Sequence, residues 1–329
     1  MPHREKLLKV WLATSAGLDG ASLELASGDA SFRRYFRLRR VDGITNIVMD
    51  APPENEDCRP FVSIAQHLRE LGLNVPVVQE ADLEQGFLLL SDLGSEHYLD
   101  RLTDSDGERD RLYADALDAV IVMQSRGKRD GLPTYNRGLL LQEMELFREW
   151  LLGRHLGLSL DLDEQQMLDR TYELLVANAL EQPQVFVHRD YHSRNLLVTP
   201  ESNPGILDFQ DAVIGPVNYD LVSLLKDCYI SWPREQVKEW VSEYFTQALE
   251  FGIVREEHDE VFLRWFDLMG VQRHLKASGI FARLNIRDGK PGYLKDIPRT
   301  LNYIQEIAPE YPELEQLVEL VSERVLPAL

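Results

Sequence analysis

Residues 185–225 carry acidic and amide side chains at spacings that phosphoryl transfer can use. Asp190 comes shortly after the apolar run 185–187, and Asn195 lies five residues beyond it. Asp208 directly follows a second apolar run, 205–207. Apolar runs of this length between polar turns predict a strand, a loop, a two-stranded hairpin and a second loop. These elements would place the three side chains at adjoining strand ends, where they could surround one metal–phosphate cluster.

The chemistry of a phosphoryl group explains why these residue types are needed. Its negative charge is spread over several oxygens, so an enzyme that transfers it mainly positions groups and supplies Mg²⁺. Mg²⁺ prefers hard oxygen ligands and takes one or two of them from the protein. We therefore predict Asn195 and Asp208 as metal ligands and Asp190 as the base that accepts the hydroxyl proton. The alternative is that Asp190 and Asn195 cap turns and that Asp208 is a surface acid.

The same residues fit a longer motif. The string H-R-D-x-x-x-x-N at 188–195, followed by Asp208 and Phe209, matches a kinase catalytic loop and its metal-binding aspartate. We expect His188 to support this loop. Asp220 opens a predicted helix over 219–228, where it either caps the helix or braces the catalytic loop.

Composition narrows the class of protein. A chain of 329 residues with 44% apolar and 27% charged residues is long enough for two lobes of a globular protein. The net charge of −20 argues against nucleic acid or an anionic membrane as partner. Cys58 and Cys228 make no disulfide framework, which favours a reducing cytoplasm. Residues 1–17 predict an amphipathic helix rather than a signal peptide, because their apolar stretch is too short. We expect a cytoplasmic monomer that acts on small molecules.

The first part of the chain predicts a small β-rich lobe, residues 1–94, that covers a nucleotide. Residues 20–50 form a meander whose first turn has only Gly28, so Ser27 and Ser31 are the candidates for holding phosphate oxygens. The strand over 87–90 would lead into a hinge, where adenine meets the backbone around Leu90 and Asp92.

The third strand of this meander, over 44–50, lacks the lysine that kinases place there to hold the α- and β-phosphates. Either an arginine (Arg33, Arg34 or Arg37) contacts the phosphates, or the metal carries more of that charge.

The remainder, residues 95–329, predicts a larger and mostly helical lobe. A helix over 139–155 places Glu145 on a polar face that is either solvated or turned to a substrate. A later helix over 254–279 ends in the basic run 272–276, which includes Arg273 and His274. This run either compensates the helix C-terminal dipole or meets a ligand.

At Asp190–Asn195 and Asp208 the chain resembles the aminoglycoside/choline kinase group of kinase-like enzymes. Residues 205–220, GILDFQDAVIGPVNYD, look like the metal loop of that group, with too few residues for a peptide-binding segment. More narrowly, the chain is similar to bacterial kinases that phosphorylate N-acetylmuramate and N-acetylglucosamine at the C1 hydroxyl in cell-wall recycling. The stretches that carry this likeness are VMDAPPE, HRDYHSRN, LDFQDA, QRHLKASGIFARL and RDGKPGYLKDIPR.

The resemblance implies an α+β, two-lobed protein-kinase-like fold, with ATP and Mg²⁺ as cosubstrate and cofactor. Asp190 would then act on the C1 hydroxyl, and Arg273, His274 or Lys276 would meet the muramate carboxylate. Glu145 or Asp211 would bind sugar hydroxyls or the acetamide. Two alternatives stay open: a kinase for a cationic acceptor such as choline, an aminoglycoside or a glycated amine, and a nucleotide-binding pseudokinase.

Overall fold

The computed structural model describes residues 2–14, 16–18, 22–28, 32–40 and 42–329. The chain forms two compact units, Met1–His97 with Leu196–Asp211, and Tyr98–Asn195 with Ala212–Leu329. The division falls close to the lobe boundary predicted at residue 94. The segment that contains Asp208, however, belongs to the first unit, because its short strands pair with residues of that unit.

A five-stranded antiparallel sheet forms the centre of the first unit. Its strands are β1 (Ser22–Gly28), β2 (Arg34–Arg39), β3 (Thr45–Asp50), β4 (Val78–Asp82) and β5 (Phe87–Ser91), in the spatial order β1-β2-β3-β5-β4. Because side chains alternate along a strand, one face of the sheet is apolar. Helix α1 (Pro2–Thr14) covers this face with Leu8, Trp11 and Leu12. The predicted meander and amphipathic first helix are confirmed, and helix α2 (Arg59–Glu70) follows β3 as expected.

Helices make up most of the second unit. They are α3 (Tyr98–Arg101), α4 (Asp106–Arg126), α5 (Arg137–Leu146), α6 (Leu162–Glu181), α7 (Asn218–Leu225), α8 (Arg234–Glu250), α9 (Asp259–Asp288), α10 (Ile297–Ile307) and α11 (Glu315–Leu320). A π-helical segment, Phe147–His155, continues α5, and Val321–Val325 is a second one. Short 3₁₀ turns occupy Glu256–His258, Pro291–Asp296, Ala308–Glu310, Pro312–Leu314 and Leu326–Ala328. No described helix has the length and apolarity needed to cross a membrane.

Four short strands surround the predicted catalytic loop in the sequence. They are β6 (Gln184–Val187), β7 (Leu196–Leu197), β8 (Gly205–Ile206) and β9 (Val213–Pro216). Strand β6 pairs with β9 in the second unit, and β7 pairs with β8 in the first. An isolated bridge between Asn74 and Gly205 joins this hairpin to the rest of the first unit. The predicted order of strand, loop and hairpin is therefore confirmed.

Helix α9 is the main difference from the sequence prediction. It runs to Asp288, where Gly289 adopts a left-handed conformation with φ of 65° and ends the helix. The predicted end near Gly279 is wrong, because Gly279 lies against another backbone. A Cβ there would be 2.3 Å from the carbonyl carbon of Leu146, so only glycine permits this packing. Arg273 and His274 thus lie in the middle of a buried helix, and compensation of a helix C-terminal dipole does not explain them.

Candidate active site

Asp220 fixes the backbone of the predicted catalytic loop, which follows β6. It is fully buried in α7, and its carboxylate oxygens accept the N–H groups of His188 at 2.7 Å and Arg189 at 2.9 Å. Arg189 has a φ of 84°, a left-handed conformation that costs a residue with a side chain about 1–3 kcal/mol. The helix cap residue is Val217, so Asp220 lies inside α7. Of its two predicted roles, the geometry favours bracing the loop.

The loop then turns around the backbone of Asp190. The Asp190 carbonyl accepts the N–H of His192 at 3.1 Å and the side-chain amide of Asn195 at 2.9 Å. The Asp190 N–H donates to Nδ1 of His188 at 3.3 Å, which gives His188 a supporting contact. These bonds fix the direction in which the Asp190 side chain leaves the loop.

A second buried acid, Asp227, holds the other side of the loop. Its Oδ2 accepts the N–H of Ser193 at 2.9 Å and also the Ser193 hydroxyl. Asp227 was not among the residues predicted from the sequence. The available signal was an acidic residue close behind the apolar stretch 221–225, a position where a charge needs a partner.

Positive side chains keep Asp190 ionised. Burial raises the pKa of Asp190, but the charges of Lys276, His192 and Arg273 lower it below its ordinary value overall. Burial lowers the pKa of His192 itself, so Lys276 and Arg273 supply this stabilisation at neutral pH. Because the pKa of Asp190 lies below its ordinary value, its side chain is a carboxylate before the reaction and is available to accept a proton during it.

Lys276 belongs to a buried network centred on Glu143 of α5. Glu143 Oε1 lies 3.0 Å from Nζ of Lys276 and also accepts Nη2 of Arg189. Lys276 Nζ donates to the Tyr219 hydroxyl at 2.8 Å, and the Tyr135 hydroxyl donates to Glu143. Burial raises the pKa of Glu143, but Lys276 and Arg189 lower it overall, so Glu143 is a buried carboxylate that joins α9 to the catalytic loop.

Glu145, the acid chosen from the sequence, lies elsewhere on the same helix. It is partly exposed and forms a 3.6 Å ion pair with Arg148. Two residues correspond to about 200° around a helix, so Glu143 and Glu145 point to nearly opposite sides. Helical spacing identified the polar face correctly, but the buried acid lies on the apolar face.

Arg273 and His274 occupy different surroundings in α9. Arg273 is buried, within reach of the charges of Asp190 and Asp227, and its Nε finds no hydrogen-bond partner among the described residues. His274 bonds the Lys226 carbonyl at 3.0 Å and stacks on Tyr303 with ring centroids 4.6 Å apart. Burial lowers the pKa of His274 to about 3, so its ring is neutral and serves packing.

The two predicted metal ligands flank the β7–β8 hairpin. Asn195 directly precedes β7, and its side-chain nitrogen donates to the Asp190 carbonyl. This bond orients the side-chain oxygen of Asn195. Asp208 follows β8 with a φ of 63°, and its Oδ1 accepts Nε2 of Gln210 at 2.8 Å. The other amide atom, Gln210 Oε1, is buried and accepts no hydrogen bond among the described residues. Asp208 and Gln210 in the first unit and Asn195 in the second thus each offer a hard oxygen, the ligand type that Mg²⁺ prefers.

Three arginines of the first unit were candidates for the role of the absent lysine. Arg37 is held by Asp92 through bonds of 2.7 and 3.0 Å. Arg34 is held by the buried Asp50, with its Nε 3.2 Å from Oδ2.

Arg33 differs from the other two. Its Nη2 lies 2.9 Å from Oε2 of Glu56, and the charges of Asp211 and Asp208 also act on it. Burial lowers the pKa of Arg33, but Tyr35 and the acids Glu56 and Asp211 raise it overall. The charge of the predicted metal ligand Asp208 thus acts on Arg33, whose partner Glu56 was not predicted from the sequence.

The remaining predicted residues belong to the first unit. Leu90 is buried in β5, where its carbonyl accepts the amide of Asn46 at 3.2 Å. The carboxylate of Asp92 accepts hydrogen bonds from Arg37 and from the Gly94 N–H. Asp211 is exposed. Ser31 and the side chain of Ser27 lie outside the described part of the chain.

Comparison with known proteins gives close relatives in sequence. A family described as "Phosphotransferase enzyme family" matches residues 22–261. A protein of Pseudomonas aeruginosa is 50% identical over 302 residues, which cover 92% of this chain and 88% of the relative. A protein of Neisseria meningitidis serogroup B is 42% identical over 325 residues, or 98% and 96% of the two chains. Both relatives are named N-acetylmuramate/N-acetylglucosamine kinase.

Solved structures share the fold at low sequence identity. Choline kinase LicA from Streptococcus pneumoniae has a TM-score of 0.63 and 13% identity, over 92% of this chain and 99% of that chain. Spectinomycin phosphotransferase APH(9)-Ia, in complex with ADP and spectinomycin, has a TM-score of 0.65 and 12% identity, over 91% and 98%. The predicted α+β, two-lobed kinase-like fold class is confirmed.

Replacing Lys276 by methionine tests whether its charge keeps Asp190 ionised. Removing a positive charge that lowers the pKa of Asp190 raises that pKa, so Asp190 becomes protonated at higher pH. We expect the acidic limb of kcat/KM to move to higher pH in Lys276→Met. Lys238→Met, at a lysine that pairs with Glu235 on α8, is the control and should keep the wild-type profile. An unmoved acidic limb in Lys276→Met would show that this charge does not act on the base.

Proposed function

The chain belongs to the phosphotransferase enzyme family, and from this premise we propose that it is an ATP- and Mg²⁺-dependent sugar kinase. Its acceptors are N-acetylmuramate and N-acetylglucosamine, which it phosphorylates on the C1 hydroxyl in cell-wall recycling. The observation that carries the proposal is the 42–50% identity to relatives named for these two sugars, over nearly the whole chain. We propose that the protein acts in the cytoplasm and as a monomer.

Asp190 is proposed as the catalytic base. Its carboxylate accepts the proton of the sugar C1 hydroxyl as that oxygen bonds to the γ-phosphorus and the bond to ADP breaks. A carboxylate of lowered pKa is a weak base, but a loose phosphoryl-transfer transition state requires orientation more than basicity. An anomeric hydroxyl is also more acidic than an ordinary alcohol. The bonds that fix the loop around Asp190 support this role.

Asn195 and Asp208 are proposed to hold Mg²⁺. When bound, the ion neutralises charge on the phosphate oxygens. The chain supplies two oriented oxygen donors, and Gln210 supports Asp208 through a hydrogen bond of 2.8 Å. Phosphate oxygens and water would supply its remaining ligands.

Arg33 is proposed to supply the positive charge that a lysine provides in other kinases. Arg34 and Arg37 are each held by an aspartate at the sheet, whereas the acids around Arg33 include Asp208. Glu56 would then orient Arg33, as a glutamate orients the lysine of other kinases.

The names of the relatives favour a sugar acceptor over a cationic one, because both relatives described above are named for N-acetyl sugars. The pseudokinase alternative is disfavoured by the presence of Asp190, Asn195 and Asp208 together.

Alanine substitutions at Arg33 and Arg34 test which of these two arginines contacts the ATP phosphates. We expect Arg33→Ala to raise the KM for ATP about 10-fold or more, because a charge-assisted bond to phosphate contributes about 1.5–3 kcal/mol. Arg34→Ala is the matched control on the neighbouring residue and should change the KM for ATP by less than about threefold. Initial rates at saturating sugar give both values. If Arg33→Ala kept the wild-type KM, the metal alone would have to carry the charge that the lysine carries elsewhere.

A substrate panel tests the proposed function. ADP release would be measured with ATP, Mg²⁺ and, in turn, N-acetylmuramate, N-acetylglucosamine, glucose, choline and kanamycin, with phosphorus NMR of each product. We expect turnover of both N-acetyl sugars with phosphate on C1, and loss of turnover on removal of Mg²⁺. Turnover of choline or kanamycin alone would refute the sugar assignment, and ATP binding without any turnover would indicate a pseudokinase.

A further inference from the structure

Arg194 lies in the catalytic loop between the proposed base and the proposed metal ligand Asn195. Its guanidinium carbon sits over the ring of Tyr229, 3.6 Å from the ring centroid, and 5.9 Å from that of Tyr293. Arginine stacks on aromatic faces in this way because its charge is delocalised and weakly hydrated. The contact holds the planar guanidinium in one place while its N–H edge remains available.

The aromatic residues under Arg194 form a wall from three separate segments. Tyr229 lies 6.1 Å from Phe281 of α9, and Phe281 is stacked on Tyr293 of the 3₁₀ turn with centroids 5.7 Å apart. On the side of the base, the His192 ring meets Tyr229 edge-on at 5.3 Å. The wall therefore extends from the catalytic loop along the second unit. Such rings can pack against the apolar face of a sugar.

Arg194 stands out because of its charge environment. The protein has 55 acidic and 35 basic residues, yet no acidic side chain in the described ranges forms an ion pair with Arg194. Other cations near Asp190 are already compensated, since Lys276 binds Glu143 and Arg273 lies among Asp190 and Asp227. His274 is neutral. A half-buried guanidinium without an acidic partner fits an anionic ligand.

We propose that Arg194 binds the lactyl carboxylate of N-acetylmuramate and so determines recognition of the acidic sugar. This inference rests on the proposed function. It assigns the carboxylate to Arg194 instead of Arg273, His274 or Lys276. The guanidinium offers two parallel N–H groups that match a carboxylate. Tyr229 and Tyr293 hold it in place before the substrate arrives.

Arg194→Gln tests the assignment through a comparison of the two sugars. A lost charge-assisted contact predicts a rise of about 10- to 100-fold in the KM for N-acetylmuramate, with a smaller change in kcat. The loss for N-acetylglucosamine, which has no carboxylate, should be at least about fivefold smaller. Arg194→Lys keeps the charge and should recover part of the affinity. Arg287→Gln, at an exposed arginine paired with Asp288, is the control.

The methyl ester of N-acetylmuramate provides a second comparison that needs no variant. Wild-type enzyme should prefer the acid to the ester, and Arg194→Gln should lose that preference. Equal kcat/KM for acid and ester in the wild type would overturn the proposal, whatever the stability of the variant. Equal losses for both sugars in Arg194→Gln, with a raised KM for ATP, would assign Arg194 to phosphate instead. Failure of wild-type enzyme to phosphorylate either sugar would refute the proposed function itself.

Discussion

The carboxylate of Asp220 makes the contact on which the candidate site depends. It binds two successive backbone N–H groups, at 2.7 and 2.9 Å, and so holds Arg189 in a conformation that a side-chain-bearing residue rarely adopts. Asp220 can do this because every residue of α7 is buried, which fixes the helix against the rest of the unit. Burial raises the pKa of Asp220 and the two N–H bonds lower it, and the balance is a pKa of about 7. The direction of Asp190 follows from this bracing.

Charge is distributed unevenly in this acidic protein. The net charge is −20, yet Asp190 is surrounded by Lys276, Arg273 and Arg189. Burying these cations is costly unless each has a partner, and Glu143 compensates two of them within one network. The result is a set of compensated cations that lowers the pKa of Asp190 and keeps the base ionised.

Local pattern was sufficient to predict much of the fold and to propose the residues at the centre of the candidate site. The meander, the first helix and the catalytic motif depend on residues close in sequence, so spacing alone identifies them. Partners from distant segments were not predictable in this way. Glu143 was not identified, because helical spacing does not show which acid finds a cation on another element, and the role of Glu145 stays a prediction. The length of α9 was underestimated, because a glycine is a common helix-ending signal. Gly279 instead permits close packing of α9 against the backbone of Leu146.

The rate of phosphoryl transfer in Asp220→Asn would test the central claim most directly. Asparagine retains one acceptor but turns an N–H group toward a backbone donor, so the loop loses part of its brace and the Asp190 carboxylate is no longer held in its direction. Single-turnover measurements should show a rate at least about 10-fold below wild type, with sugar and ATP affinities nearly unchanged. Urea unfolding should show a stability loss of about 1.5–3 kcal/mol. Asp110→Asn, on the exposed side of α4, is the control. A wild-type transfer rate in Asp220→Asn would contradict the account.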